Sequence, residues 1–218
     1  MKIITFLTIL LLPILASAGA YEDMEEAIIQ GDAPDAIALI KRGMDGNTVD
    51  REGNTLLFQA VRRDIPELVD YLIRHRARLN VRNRNGETAV SIAAFKGNLS
   101  YVKLLVDAGA DVNLYGWSPL IYAAYNGHAQ IVDYLLKRGA RIDATTENGS
   151  SALFFAARFG HIEVVELLLK NKADPMIANE NGDTAVDWAL KSENTDIADL
   201  LRAAGGRSGK AVVLELSK

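Results

Sequence analysis

Apolar positions in this chain fall in short blocks at helical spacing, and the blocks come in pairs. Gly127-His128-Ala129-Gln130-Ile131-Val132-Asp133-Tyr134-Leu135-Leu136 is one such block, and Gly160-His161-Ile162-Glu163-Val164-Val165-Glu166-Leu167-Leu168-Leu169 repeats it closely. The small or turn residue between paired helical patterns falls at Gly31, Asp64, Gly97, Gly127, Gly160 and Glu193, in steps of 33, 33, 30, 33 and 33. The glycines that open the units, Gly53, Gly86, Gly116, Gly149 and Gly182, keep the same beat. A fixed period of about 33 residues predicts stacked supersecondary units, none able to bury its apolar face alone. Such a stack presents an extended surface where an enzyme would have a pocket, which predicts binding and not chemistry.

After each second helical block comes a glycine and an extended stretch, as in Gly139-Ala140-Arg141-Ile142-Asp143 and Gly109-Ala110-Asp111-Val112-Asn113. Together these segments closely resemble the ankyrin repeat, whose consensus runs G-x-T-P-L-H-x-A-A-x-x-G-H, then an apolar helix, then G-A-D-V-N. The resemblance covers roughly residues 22 to 206. It implies an all-α ankyrin-repeat solenoid of about six helix-turn-helix repeats with β-hairpin fingers. The repeats would span about 22–50, 51–83, 84–113, 114–146, 147–179 and 180–206, within a domain at 19–206.

Departures from the consensus carry expectations of their own. The T-P-L-H turn is altered in every copy, as in Thr55-Leu56-Leu57-Phe58 and Ser118-Pro119-Leu120-Ile121. In the family that His ties neighbouring repeats together, so its absence implies a less rigid stack. Arg76 and Lys172 stand where Gly43, Gly109 and Gly139 end other helices. A β-carbon in the left-handed region there costs about 1 kcal/mol. One repeat is three residues short, with only Leu114 and Tyr115 between Asn113 and Gly116. A neutral deletion in a surface loop and a functional notch in the row of fingertips are both open.

Residues 1–18 read as a signal peptide. Lys2 supplies the positive region, Ile3 to Leu12 an apolar run too short to span a bilayer, and Ala16-Ser17-Ala18 a cleavage signature. Cleavage after Ala18 is expected, with Ala20 as the alternative and an uncleaved anchor as the competing reading. The chain has no Cys, so disulfides and thiol chemistry play no part. Export to a bacterial periplasm is expected, with secretion as the alternative and no stable membrane insertion. The formal charge is −4, unevenly spread. Residues 51–85 carry eight arginines against four acids, and residues 174–199 carry seven acids against Lys191. Solvated helix faces and a field that steers a charged partner both account for this. The acidic total and the export signal disfavour nucleic acid. In the tail at 207–218, the apolar hexamer 211–216 could dock on the last repeat or await a partner.

The inventory for catalysis is thin. His128 and His161 sit at the G-H junction, which the family uses structurally, and His75 lies among Arg74, Arg76 and Arg78, which oppose a bound cation. No nucleophile elbow, phosphate loop or paired-cysteine motif is present, so no enzyme activity, cofactor or metal is expected.

In ankyrin stacks the first helices and fingers line a concave groove where partners bind. Carried across by position, the columns of that groove hold Gln59, Ile92, Tyr122, Phe155 and Trp188, then Arg62, Phe95, Tyr125, Arg158 and Lys191. Eight of the chain's fifteen aromatics fall on this surface, including both tryptophans. The expected protein-binding residues are Arg62, Arg63, Arg84, Phe95, Leu114, Tyr115, Trp117, Tyr122, Tyr125, Arg158 and Phe159. The alternative is that several rings fill gaps between repeats, as is expected of Phe155 and considered for Trp188. The resemblance implies a monomer that binds another protein, an exported enzyme. Inhibition of a cell-wall hydrolase, as by an immunity protein, is one reading. Support of an enzyme such as catalase, as by a scaffold or chaperone, is the other.

Overall fold

The computed structural model describes residues 19–209. The expected signal peptide at 1–18 and the hexamer at 211–216 lie outside the described residues. The chain divides between Arg84 and Asn85 into two compact units. In the first, helical residues 19–30 (α1) are followed by α2 (Ala33–Lys41), α3 (Leu56–Arg63) and α4 (Pro66–Arg74). Helix α4 packs against both α2 and α3. Leu57, Val61, Leu68, Val69 and Leu72 close the core between them. The extended segment before α3 is a finger, pinned by one antiparallel bridge between Val49 and Thr55. Its turn is held by Asp50, whose carboxylate accepts from the amides of Glu52 and Asn54.

The second unit is two rows of helices. Helices α5 (Ala89–Phe95), α7 (Pro119–Tyr125), α9 (Ala152–Arg158) and α11 (Ala185–Lys191) pack side by side in one row. Helices α6 (Leu99–Asp107), α8 (Ala129–Lys137), α10 (Ile162–Lys170) and α12 (Thr195–Ala203) form the other, each paired with the helix before it in the chain. The second-row helices bury Val102, Leu105, Ile131, Val132, Leu135, Val164, Val165 and Leu168, the inward stripe of a 3.6-residue period. Among the described residues no helix is long and apolar enough to cross a membrane.

The altered first turn of each repeat keeps one function of the consensus. Thr55, Thr88, Ser118 and Ser151 are buried N-caps whose side-chain oxygens accept from the amide three residues on. Such a cap stabilises a helix by about 1 kcal/mol relative to alanine. Ties between neighbouring repeats come from the residue that follows the turn at the G-H junction. His161 Nε2 lies 2.9 Å from the carbonyl oxygen of Tyr125, and His128 Nε2 lies 3.1 Å from that of Phe95. A carbonyl only accepts, so each Nε2 carries the hydrogen. Asn194 makes the same reach, donating to the Ala157 oxygen at 3.0 Å.

These ties also explain two glycines. A β-carbon on Gly97 or Gly127 would lie 2.6 Å from the ring of His128 or His161 respectively, and both have φ near +75°. Glu193, at the same place in the last repeat, tolerates a side chain at φ +61°. Arg76 and Lys172 are left-handed as expected, at φ +60° and +66°.

The short finger makes no bridge of the kind that Thr145 and Ser151 make in the following repeat. Its root is tied to the next repeat by Asn113, whose side chain donates to the Gly139 oxygen and accepts from the Arg141 amide at 2.7 Å, as Asn47 and Asp143 accept from the amides of Arg78 and Asp174.

The start of the tail does dock. Ser208 Oγ and the Gly209 amide donate to the Asp187 carboxylate at 2.5 and 2.8 Å, and Thr184 Oγ1 donates to the Arg207 oxygen. The Thr184 amide donates to Asp187 as well, at 2.8 Å. Burial alone would raise the Asp187 carboxyl, but these hydrogen bonds outweigh it and hold the group below its ordinary value. A lowered native value contributes stability above the unfolded value, near pH 4, and that contribution is lost as pH falls through the native one.

Two measurements follow from this architecture. Lys172→Gly is expected to raise the urea midpoint by the equivalent of about 1 kcal/mol, because it relieves a left-handed β-carbon. Asp187→Asn is expected to lower the thermal midpoint at pH 7. The gap from wild type should close on acidification below about pH 4.

Candidate functional site

Six rings of the second unit, Trp117 on a finger and five on or at the ends of first-row helices, lie in contact, and the contacts continue through Phe154 to Trp188. Tyr122 and Tyr125 lie three residues apart on one face of α7, while Ile121, Ala123 and Ala124 face the core. Phe95, the last residue of α5, meets Tyr122 edge-on at 5.7 Å between ring centres and Tyr125 at 6.4 Å. Trp117, from the short finger, sits 5.1 Å from Tyr122, 5.8 Å from Tyr125 and 4.9 Å from Phe155. Phe159 completes the set, 4.5 Å from Tyr125. Edge-on and tilted contacts of this sort add about 0.5–1.5 kcal/mol each beyond area burial.

The rings divide by exposure. Phe155 is 5% exposed and fills the space between repeats, as expected. Phe95 and Phe159 are 39% and 40% exposed, and Trp117, Tyr122 and Tyr125 are half-buried. Tyr115 turns outward at 71% exposure, and Leu114 beside it is half-buried. Trp117, on the shortened finger, thus lies against the two tyrosines and is half-buried.

Arg158 is half-buried, with its guanidinium carbon 4.2 Å from the centre of the Trp188 ring and 5.1 Å from that of Phe159. Lys191 lies 4.8 Å from the same Trp188 ring and pairs with buried Asp183 at 2.8 Å. The other three expected arginines belong to the first unit. Arg62 and Arg63 line a cleft of about 600 Å³ there with Tyr21, Ile29 and Gln59, and Arg84 is exposed.

What borders the ring cluster is acid, which the expected site omitted. Glu87, half-buried before the α5 cap, accepts from the Tyr122 hydroxyl at 3.4 Å. The exposed carboxylate of Glu147, in the next finger, comes so close to Gly116 that a β-carbon there would collide with it. Burial, then the Glu87 carboxylate, then that of Glu147, push the Tyr122 phenol far above its ordinary range. The signal for these acids was positional: both occupy fingers that flank Trp117.

His75 stacks on Tyr71 at 3.9 Å and bonds to the Tyr71 oxygen, ending α4. Among the described residues no group of three or more His, Asp or Glu is placed to hold a metal ion.

Paired helices, left-handed joints and fingers at this period define a class of repeat protein built for contact. The family model for ankyrin repeats matches residues 57–146 and 120–208, well over half of the chain. The chain belongs to the ankyrin-repeat family, whose repeats are protein–protein interaction modules. It is 37% identical over 91 residues to the Notch-regulated ankyrin repeat-containing protein of Xenopus tropicalis, covering 40% of this chain and 74% of that protein. It is 34% identical over 128 residues to the B-cell lymphoma 3 protein homolog of Mus musculus, covering 55% and 29% respectively. With the ankyrin repeat and SAM domain-containing protein 6 of Rattus norvegicus it shares 40% identity over 78 residues, 34% of this chain and 9% of that protein. The match thus spans less than a third of the length of the mouse and rat relatives.

The geometry at Tyr122 can be read directly. In an absorbance titration of phenolate, a phase well above the ordinary tyrosine range is expected, and Tyr122→Phe should abolish it. A raised phenol contributes stability below its unfolded value. The wild type should therefore lose more stability than Tyr122→Phe as pH rises past about 10.

Proposed function

We propose that this is an exported, non-enzymatic binding protein that grips a partner enzyme of the periplasm through the ring face of α5, α7 and α9 and inhibits it. The observation that carries the reading is the partly exposed cluster of Phe95, Trp117, Tyr122, Tyr125 and Phe159, in a family of interaction modules. Large rings at a free surface cost solubility unless something covers them, and Trp and Tyr dominate interface energetics. Export rests on the sequence of residues 1–18, and an enzyme as partner rests on the resemblance. A rigid face that covers the mouth of an active site needs no chemistry of its own, which makes steric blocking the simplest mechanism.

Capture from a periplasmic extract tests the face. Trp117→Ala with Tyr125→Ala is expected to abolish retention of the partner, since central ring truncations cost about 2 kcal/mol or more each. Arg42→Ala, at the C-terminal end of α2, serves as the control that leaves capture intact. Unchanged capture by the double variant would remove the proposed face. The captured enzyme is expected to lose turnover in proportion to occupancy, and a rise in its yield or activity would point to support in place of inhibition.

A further inference from the structure

We propose that residues 211–216 of this chain lie over Leu190 and close the open end of the first helical row. The third and sixth residues of each first-row helix share one face. In α5, α7 and α9 both are buried: Ser91 and Ala94, Ile121 and Ala124, Phe154 and Ala157. The three alanines are completely buried, in helices that each pack against another of the row. The same places in α11 hold Asp187 and Leu190. Asp187 is buried beneath the tail's own Ser208 and Gly209, which donate to its carboxylate. Leu190 is 41% exposed. A leucine thus stands at the end of the row, where a repeat array needs a polar outer face or a cover to stay soluble.

The tail is the occupant within reach, and two glycines press its start against the last repeat. A β-carbon on Gly206 would stand 2.8 Å from the Leu201 oxygen and 3.1 Å from Val186, and one on Gly209 would collide with the Gly182 oxygen. Neither glycine has a left-handed φ, so close approach is what requires them. The chain therefore leaves Gly209 from a fixed point at Asp187, within one helical turn of Leu190. Three residues of helix rise about 4.5 Å, which two residues of extended chain cover. After Lys210 come Ala211-Val212-Val213-Leu214-Glu215-Leu216, five apolar side chains in six. Charge favours the same seat. Residues 174–199 carry seven acids against Lys191, whereas residues 207–218 carry Arg207, Lys210 and Lys218 against Glu215. A segment tethered beside a face competes for it at an effective concentration on the order of 1 mM, above that of a second copy in solution.

The test follows release of the tail from the full chain by elastase, which cuts after small apolar residues, using mass spectrometry. Release is expected to be about tenfold faster with Leu190→Gln than in the wild type, because cleavage tracks the population of the undocked tail. Leu190→Gln replaces an exposed side chain with a good helix former, so the repeats stay folded. It should lower the thermal midpoint by about 2–4 °C, as should the triple variant Val213→Gln, Leu214→Gln and Leu216→Gln. Together the two should lower it little further than either alone, since they remove opposite sides of one contact. Equal release from wild type and Leu190→Gln, or midpoint effects that add fully, overturns the proposal. Self-association of the wild type that Leu190→Gln abolishes would assign the face to a second copy. Loss of partner capture with Leu190→Gln but not with the triple variant would assign it to the partner. Either result overturns the proposal as well.

Discussion

Close side-by-side approach of the first-row helices in the second unit is the constraint from which its other features follow. Ala93 and Ala94 on α5, Ala123 and Ala124 on α7, and Ala156 and Ala157 on α9 are completely buried where these helices meet. Methyl groups at those points let the backbones come near, and larger side chains would force them apart at about 1–3 kcal/mol per site. The same closeness brings the opposite side of each helix near its neighbour. Rings from successive repeats, Phe95, Tyr125 and Phe159, therefore meet with centres 4.5 to 6.4 Å apart. A tray of aromatics is thus the outward consequence of a row of alanines.

That row is held in register by bonds that cross from one repeat to the next. Each of His128 and His161 lies over a left-handed glycine of the preceding repeat and reaches one of its carbonyls. The glycine and the histidine are one feature divided between two repeats: removing the ring takes away a donor that crosses between them, and adding a β-carbon expels the ring. Asn194 performs the same task over Gly160 with an amide group, 3.1 Å from where that glycine's β-carbon would stand. Ring and amide share a size and a donor, which is what the position requires.

How much of this could be read beforehand depended on whether a feature repeats. The period of glycines and turn residues located every helix pair, and Arg76 and Lys172 stood out as left-handed because their counterparts are glycine. The ring column was legible for the same reason, down to Phe155 as a gap filler. Features present once were not legible. Ser208 and Gly209 closing on Asp187 had no counterpart elsewhere to give them away. Glu87 and Glu147 were visible as finger residues, but a finger's reach toward Trp117 and Tyr122 is a property of folded loops and not of spacing. The seat of Arg158 over Trp188 was likewise not legible, because it depends on a ring that the next helix brings to the same height.

The three-residue deletion leaves the helical rows untouched, since α5, α7 and α9 pack together as if every repeat had the same length. Asn113 ties the shortened loop to Arg141 and Gly139 at its base, so the change is confined to the tip. Scaffold and display are therefore separable in this molecule. New recognition could evolve, or be grafted, by trading fingertips of different lengths while the alanine-lined rows beneath stay as they are.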